Sequence, residues 1–148
     1  MNNAILLVLS FIVGIMVVIQ GGLNAKLGVL LKNPLLATSA MFIVSTCFTA
    51  IAILLTVKQL PSVHQLKAVP LYLWFTGAAF SFAAVSLFYF LIPKLGISTA
   101  VAFGLFGQIF FSTVAAHYGW FGLPVEPIAK QKILGVMAMI LGLFLIKF

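Results

Sequence analysis

Acidic residues are almost absent from this sequence. Its 148 residues include a single carboxylate side chain, Glu126, and no arginine, against eight lysines and two histidines. There is no pair of carboxylates, no Ser/His/Asp or Cys/His grouping and no glycine-rich loop for phosphates, so the usual constellations for catalysis cannot be assembled. The chain is therefore not expected to be an enzyme.

Cysteine and histidine are nearly as scarce. A lone cysteine, Cys47, cannot form a disulfide within one chain, and His64 and His117 lie too far apart in sequence to suggest a zinc site. The absence of arginine and the scattering of lysines singly or in pairs also argue against a nucleic-acid surface. We expect no metal, no cofactor and no nucleic-acid partner.

Apolar residues dominate what is present. They make up 64% of the chain, charged residues make up 6%, and the mean hydropathy is +1.31. A membrane-spanning helix needs roughly 20 mostly apolar residues, and five segments meet this: 4–26, 34–57, 72–91, 97–118 and 127–146. The sequence predicts an all-α integral membrane protein in which residues 1–148 form one multi-pass membrane domain that contacts lipid. Because no basic stretch precedes the first segment, we do not expect a cleaved signal peptide.

The lysines are distributed evenly between the two sides of the membrane. With five spans, one side carries four (Lys58, Lys67, Lys130 and Lys132) and the other side carries four (Lys26, Lys32, Lys94 and Lys147). Orientation follows the excess of basic residues in short loops, and here there is none. This predicts dual topology, with two copies pairing as an antiparallel homodimer that forms a ten-helix inverted repeat. An accidental balance in a small protein is the alternative.

Small residues recur on one face of three of the predicted helices, which favours close helix packing in lipid. The alternative is that glycine and alanine are simply common in spanning helices. The three stripes are Ser10, Gly14, Gly21, Ala25 and Gly28; then Gly96, Ala100 and Gly104; then Gly135, Ala138 and Gly142.

Two amides lie near the end of the first apolar run. Gln20 and Asn24 are four residues apart, so they share one helix face, beside the glycine stripe, and are expected to face protein. Gly21 and Gly22 are a natural place for a kink that would expose backbone carbonyls beside them. This arrangement predicts a polar pocket, although hydrogen bonds that only join helices are an equal alternative.

Further polar residues could complete such a pocket. Gln108 and Ser112 repeat the four-residue spacing in the fourth segment. Tyr89 lies deep in the aromatic third segment and needs a hydrogen-bond partner, which favours a place in the lining of a cavity; plain packing is the alternative. His117 is a candidate for ion coupling, with a structural role at the membrane interface as the alternative. We predict that Gln20, Asn24, Gln108, Ser112 and Tyr89 bind substrate.

The absence of intramembrane carboxylates constrains the cargo. Such groups are the usual proton relays and counter-ions for cationic substrates, so we expect the substrate to be a small neutral or amphipathic metabolite. We expect the protein to move it by alternating access. Two other functions remain open. A non-transporting membrane subunit would use the small-residue faces to join a larger complex, and a lipid flippase or scramblase would explain the aromatic third segment.

Several motifs together resemble a known family. They are QGGLNAKLG (residues 20–28), FYFLIPKLG (88–96), GLFGQ (104–108), HYGWFGLP (117–124) and KILGVMAMILGLFLI (132–146). This order is similar to the DUF606 family, also called YdcZ-like, of the drug/metabolite transporter superfamily. The resemblance implies a five-span half-transporter of the bacterial inner membrane that pairs with itself or with an oppositely oriented paralogue. The chain departs from the family at Ala116, where an acidic residue often precedes the histidine.

Overall fold

The computed structural model describes residues 3–122 and 124–147, and it shows helices and no strand within those ranges. The prediction of an all-α protein is confirmed. Six α-helices follow in chain order, with one 3₁₀ turn at Trp120–Gly122 before the last: α1 (Asn3–Leu30), α2 (Pro34–Thr56), α3 (Val63–Ala68), α4 (Leu71–Leu95), α5 (Ile97–His117) and α6 (Lys130–Lys147).

Four of these helices are long and apolar enough to cross a bilayer, namely α1, α2, α4 and α5. The helix α6 has 18 residues and carries Lys130 and Lys132 in its first turn and Lys147 at its end, so its charge content sets it apart from the other four. Large apolar side chains along α1, α2 and α4 are mostly exposed within the chain. That distribution is expected of helices whose solvent is lipid.

The helix α1 continues past Lys26 to Leu30 without interruption. Its 28 residues span about 42 Å, more than the roughly 30 Å hydrocarbon core. The predicted kink does not break the helix at Gly21 and Gly22. A Cβ atom built on Gly21 would lie 3.0 Å from Cε1 of Phe88, so this glycine admits the α4 ring against the helix backbone.

A tight turn joins α1 to α2. The backbone N–H of Asn33 donates to the carbonyl of Gly28 (2.9 Å) and that of Lys32 donates to Val29 (3.0 Å), with Lys32 in the left-handed region at φ 54°. These two bonds and this φ define a Schellman motif, which satisfies the last carbonyls of a helix. The side chain of Asn33 then accepts from the N–H of Leu35 and caps α2.

The short helix α3 lies in the connection between α2 and α4. Ser62 and Gln65 form a capping box, in which the Ser62 hydroxyl accepts from the N–H of Gln65 and the Gln65 side chain accepts from the N–H of Ser62. This reciprocal pair satisfies two donors that a helix start leaves free. All six residues of α3 are exposed within the chain.

The chain divides into two compact units, residues 1–94 and 95–148. In the first unit α1 packs against α2, and α4 adds Ser86, Tyr89 and Ile92 as its buried positions. In the second unit α5 packs against α6 and against the 3₁₀ turn. Gly96, at φ 81°, precedes α5 in a conformation that residues with a Cβ rarely adopt.

Candidate functional site

Three of the five predicted substrate residues meet in one hydrogen-bonded cluster, which we call the amide cluster: Gln20, Asn24 and Tyr89. The Nδ2 of Asn24 donates to Oε1 of Gln20 (3.0 Å) and to the backbone carbonyl of Gln20 (2.9 Å). The hydroxyl of Tyr89 donates to the same Oε1 at 2.9 Å. One amide oxygen on α1 thus receives two donors, one from its own helix and one from α4.

Burial differs across the amide cluster. Tyr89 is 2% exposed, Asn24 is half-buried, and Gln20 remains exposed within the chain. The expectation that both amides face protein is therefore met only in part. Tyr89 packs against the chain and donates a hydrogen bond at the same time. The exposed edge of the cluster is the Gln20 amide.

The register of α4 determines which side chains reach α1 and α2. Ser86, Tyr89 and Ile92 follow at steps of three, so they form one buried stripe. Phe88 and Ile92 lie against Gly21, where a Cβ atom would be 3.6 Å from Cδ1 of Ile92. Because glycine leaves this space open, Tyr89 can approach Gln20 closely.

A second polar contact, between Thr38 and Ser86, was not predicted from the sequence. The Ser86 hydroxyl donates to Oγ1 of Thr38 (3.2 Å), and Thr38 donates to the backbone carbonyl of Pro34 (3.0 Å). Both residues are buried. The only signal in the sequence was the spacing of Ser86 three positions before Tyr89, which places them on one face.

The remaining predicted residues lie on α5, in the second unit. Ser112 donates to the backbone carbonyl of Ile109 on its own helix (3.0 Å), while the Gln108 side chain forms no hydrogen bond within the described part of residues 95–148. His117 ends α5, and its ring lies edge-on to Tyr118 with centroids 5.0 Å apart. Its Nδ1 is buried and has no hydrogen-bond partner among the described residues.

One backbone hydrogen bond and one ion pair fix the loop after α5. The N–H of Glu126 donates to the carbonyl of Ala116 (2.9 Å), and Nζ of Lys132 lies 2.7 Å from Oε2 of Glu126. The hydrogen bond and the positive charge of Lys132 hold the pKa of the Glu126 carboxyl below its ordinary value. This ion pair is exposed, so its contribution to stability is small.

A mostly apolar cleft of about 160 Å³ lies between α5 and the α6 region. Lys132 is its one charged lining residue; the others are Phe110, Thr113, Val114, Ile128, Ile133, Val136 and Met137. Within residues 3–122 and 124–147 no three His, Cys, Asp or Glu side chains come together as metal ligands. Apart from the Glu126–Lys132 pair, the side-chain hydrogen bonds described above join neutral groups.

Apolar helices long enough to cross a bilayer, with neutral polar groups between them, define a multi-pass helical membrane protein. Over residues 5–145 the chain matches the family described as "Putative inner membrane exporter, YdcZ". The chain belongs to this family, and the resemblance found in its motifs is confirmed. That description is of a membrane transporter rather than an enzyme. No curated protein and no solved structure matches the chain.

Proposed function

We propose that this chain is a half-transporter that exports a small neutral or amphipathic molecule from the bacterial cytoplasm by alternating access. In this proposal two copies insert in opposite orientations and pair as an antiparallel homodimer, giving a ten-helix transporter of the drug/metabolite type. Export from the inner membrane is the activity in the family's description. The substrate class, the dimer and the mechanism are our proposals.

The amide cluster is the observation that carries the proposal. Gln20 sits in a helix that is mostly apolar, and the residue stays exposed although its side-chain oxygen is already bonded twice. An unsatisfied polar group in hydrocarbon costs several kcal/mol. A group of this kind in a spanning helix marks a cavity, a substrate path or a partner helix.

We assign Gln20, Asn24 and Tyr89 to substrate binding, and Gln108 and Ser112 as further substrate contacts from α5. The free side-chain amide of Gln108 supports its assignment, whereas the Ser112 hydroxyl is already bonded to its own helix. His117 is our candidate for proton coupling, because its buried Nδ1 has no partner in the described part of the chain. An imidazole is also the side chain that titrates closest to neutral pH.

The ten-helix assembly requires α6 to be the fifth span. Two of its lysines lie in its first turn, where long basic side chains can extend to the lipid head groups. The sequence from residue 133 to residue 146 is apolar throughout. With α6 included, each side of the membrane carries four lysines, which favours neither orientation.

Single-cysteine accessibility tests the antiparallel dimer. In a Cys47→Ser background, Gln59→Cys and Leu95→Cys would each be labelled by a membrane-impermeant maleimide added from one side. We expect about half of the copies to react from either side, because the two orientations are equally populated. Full labelling after permeabilisation is the control. Labelling of either reporter from one side alone would refute the homodimer and require a differently oriented partner chain.

Transport in vesicles tests the role of the amides. The double variant Gln20→Leu with Asn24→Leu should lose solute export while still forming dimers, because only the polar groups of the site are removed. Gln59→Leu, which removes an exposed loop amide from the same unit, is the matched control. Collapse of dimer assembly in the double variant would show that the amides are structural.

Lipid scrambling is the second candidate function. It is favoured by the exposed aromatic residues along the first half of α4, which are Tyr72, Trp74, Phe75, Phe80 and Phe82. Labelled phospholipid in the same vesicles discriminates the two. Lipid that equilibrates between leaflets while no solute moves would favour scrambling and reject the exporter.

A further inference from the structure

The hydrogen bonds of the amide cluster determine which end of each amide is nitrogen. A backbone carbonyl can only accept, so the Asn24 atom 2.9 Å from the Gln20 carbonyl must be the donor Nδ2. That same Nδ2 donates to the Gln20 side chain, so the atom it contacts must be the acceptor Oε1. The Tyr89 hydroxyl, which meets this oxygen, is therefore the donor in its bond.

This orientation leaves a defined set of groups unused. Both N–H groups of Gln20 Nε2 and the carbonyl oxygen Oδ1 of Asn24 form no hydrogen bond within the described part of residues 1–94. Gln20 is exposed and Asn24 is half-buried, so both residues keep part of their surface uncovered by the first unit. The cluster presents donors on one side chain and an acceptor on the other.

We propose that the amide cluster recognises a neutral carboxamide or ureido group, whose carbonyl accepts from Gln20 Nε2 and whose N–H donates to Asn24 Oδ1. This inference rests on the proposed function and names its substrate class. A carboxylate carries acceptors only and would oppose its lone pairs to Asn24 Oδ1. An ammonium carries donors only and would oppose its N–H groups to those of Gln20.

The charges near the cluster agree with a neutral ligand. The only acidic residue of the chain, Glu126, lies outside the first unit, so this unit has no carboxylate to balance a cation. The nearest lysine in sequence, Lys26, is two positions after Asn24, which places it about 200° around the helix. Lys26 is exposed on that other face of the helix.

Three probes of nearly equal shape test this selectivity: benzamide, benzoate and benzylamine, which at pH 7.5 are neutral, anionic and cationic. The full chain in lipid nanodiscs, labelled with ¹⁵N, is titrated with each probe while the side-chain amide signals of Gln20 and Asn24 are followed by NMR. We expect benzamide to shift both signals and to bind at least about 10-fold more tightly than either ion. Benzoate would place an acceptor against Asn24 Oδ1, and benzylamine would place a donor against Gln20 Nε2.

Gln20→Leu should weaken benzamide binding by at least about 10-fold, whereas the loop variant Gln59→Leu should leave it unchanged. Equal binding of the three probes, tighter binding of either ion, or no response of the two signals up to about 20 mM benzamide would overturn the inference. The comparison of the three probes on the wild-type chain tests the inference even if Gln20→Leu does not fold.

The two proposals fail separately. Benzamide binding without any solute flux in vesicles would reject the exporter and leave the recognition site standing. Solute flux that is lost in the Gln20 and Asn24 variants, together with no benzamide response, would retain the exporter and reject the carboxamide class.

Discussion

Gly28 and Pro34 lie so close across the turn between α1 and α2 that a Cβ atom on Gly28 would be 3.2 Å from the Cα of Pro34. The obstacle is backbone, which cannot swing aside as a side chain can. The same added atom would lie 3.6 Å from Cβ of Ala37. This contact accounts for the burial of Gly28 at the C-terminal end of the α1 stripe.

Gly28→Ala should therefore destabilise the first unit by about 1–3 kcal/mol, the usual cost of overpacking. Gly14→Ala is the matched control, because nothing lies within 4 Å of the Cβ position there. Unfolding in mixed micelles, followed by helical circular dichroism, measures both. Equal stability of the two variants would show that the turn relaxes freely.

Removing the Tyr89 hydroxyl should weaken the link between α4 and α1. Tyr89→Phe keeps the ring, which is 2% exposed, and deletes only the bond to Gln20. Helix-to-helix bonds in membranes average about 0.6 kcal/mol and reach about 2 kcal/mol, so we expect a loss in this range by the same unfolding measurement. Tyr72→Phe, at an exposed position, should change nothing.

Single lysine changes should bias the orientation of the chain in opposite directions. Lys58→Gln leaves more lysines on the side of Lys32, so that side should become cytoplasmic in most copies; Lys32→Gln should do the reverse. The ratio of labelling at Gln59→Cys from the two sides measures the shift. If both variants shift the ratio the same way, or neither does, charge balance does not control insertion.

The carboxyl of Glu126 should titrate below its ordinary pKa, because Lys132 donates to it and carries a positive charge. Since the folded pKa is lowered, the contribution of this ion pair is present above the ordinary carboxyl pKa. It is lost as the pH falls through the lowered value. Lys132→Gln should raise the pKa toward the ordinary value.

The ¹³C signal of the Glu126 carboxyl reports this titration, and no other acidic side chain exists in the chain to titrate beside it. Lys130→Gln, which removes a lysine that has no part in the ion pair, is the control. A pKa that stays lowered in Lys132→Gln would contradict the assignment of its cause.

The sequence identified the membrane class and three members of the amide cluster, because amides and a tyrosine are conspicuous in an apolar run. It missed Thr38 and Ser86. Hydroxyls in spanning helices commonly bond to a carbonyl of their own helix, as Thr46 and Thr49 do here. Sequence alone does not tell which hydroxyl also meets another helix.

The kink expected at Gly21 and Gly22 does not interrupt the helix, since α1 runs unbroken from Asn3 to Leu30. In lipid the backbone keeps its own helical bonds, because no water replaces them. The space that Gly21 provides is used instead by the ring of Phe88, sixty-odd residues further along the chain. The two glycines therefore indicated a structurally distinct position in α1, but they did not show whether the helix bends there or admits a side chain from another helix.

The bond between Tyr89 and Gln20 also sets an order of events during synthesis. The two residues are 69 positions apart, so Gln20 is made on the order of ten seconds before its α4 partner exists. Asn24, one turn away on the same helix, needs no other helix to donate to the Gln20 oxygen, so this bond can form during that interval. The pairing of neighbouring amides thus lets α1 enter the bilayer while its final partner is still untranslated.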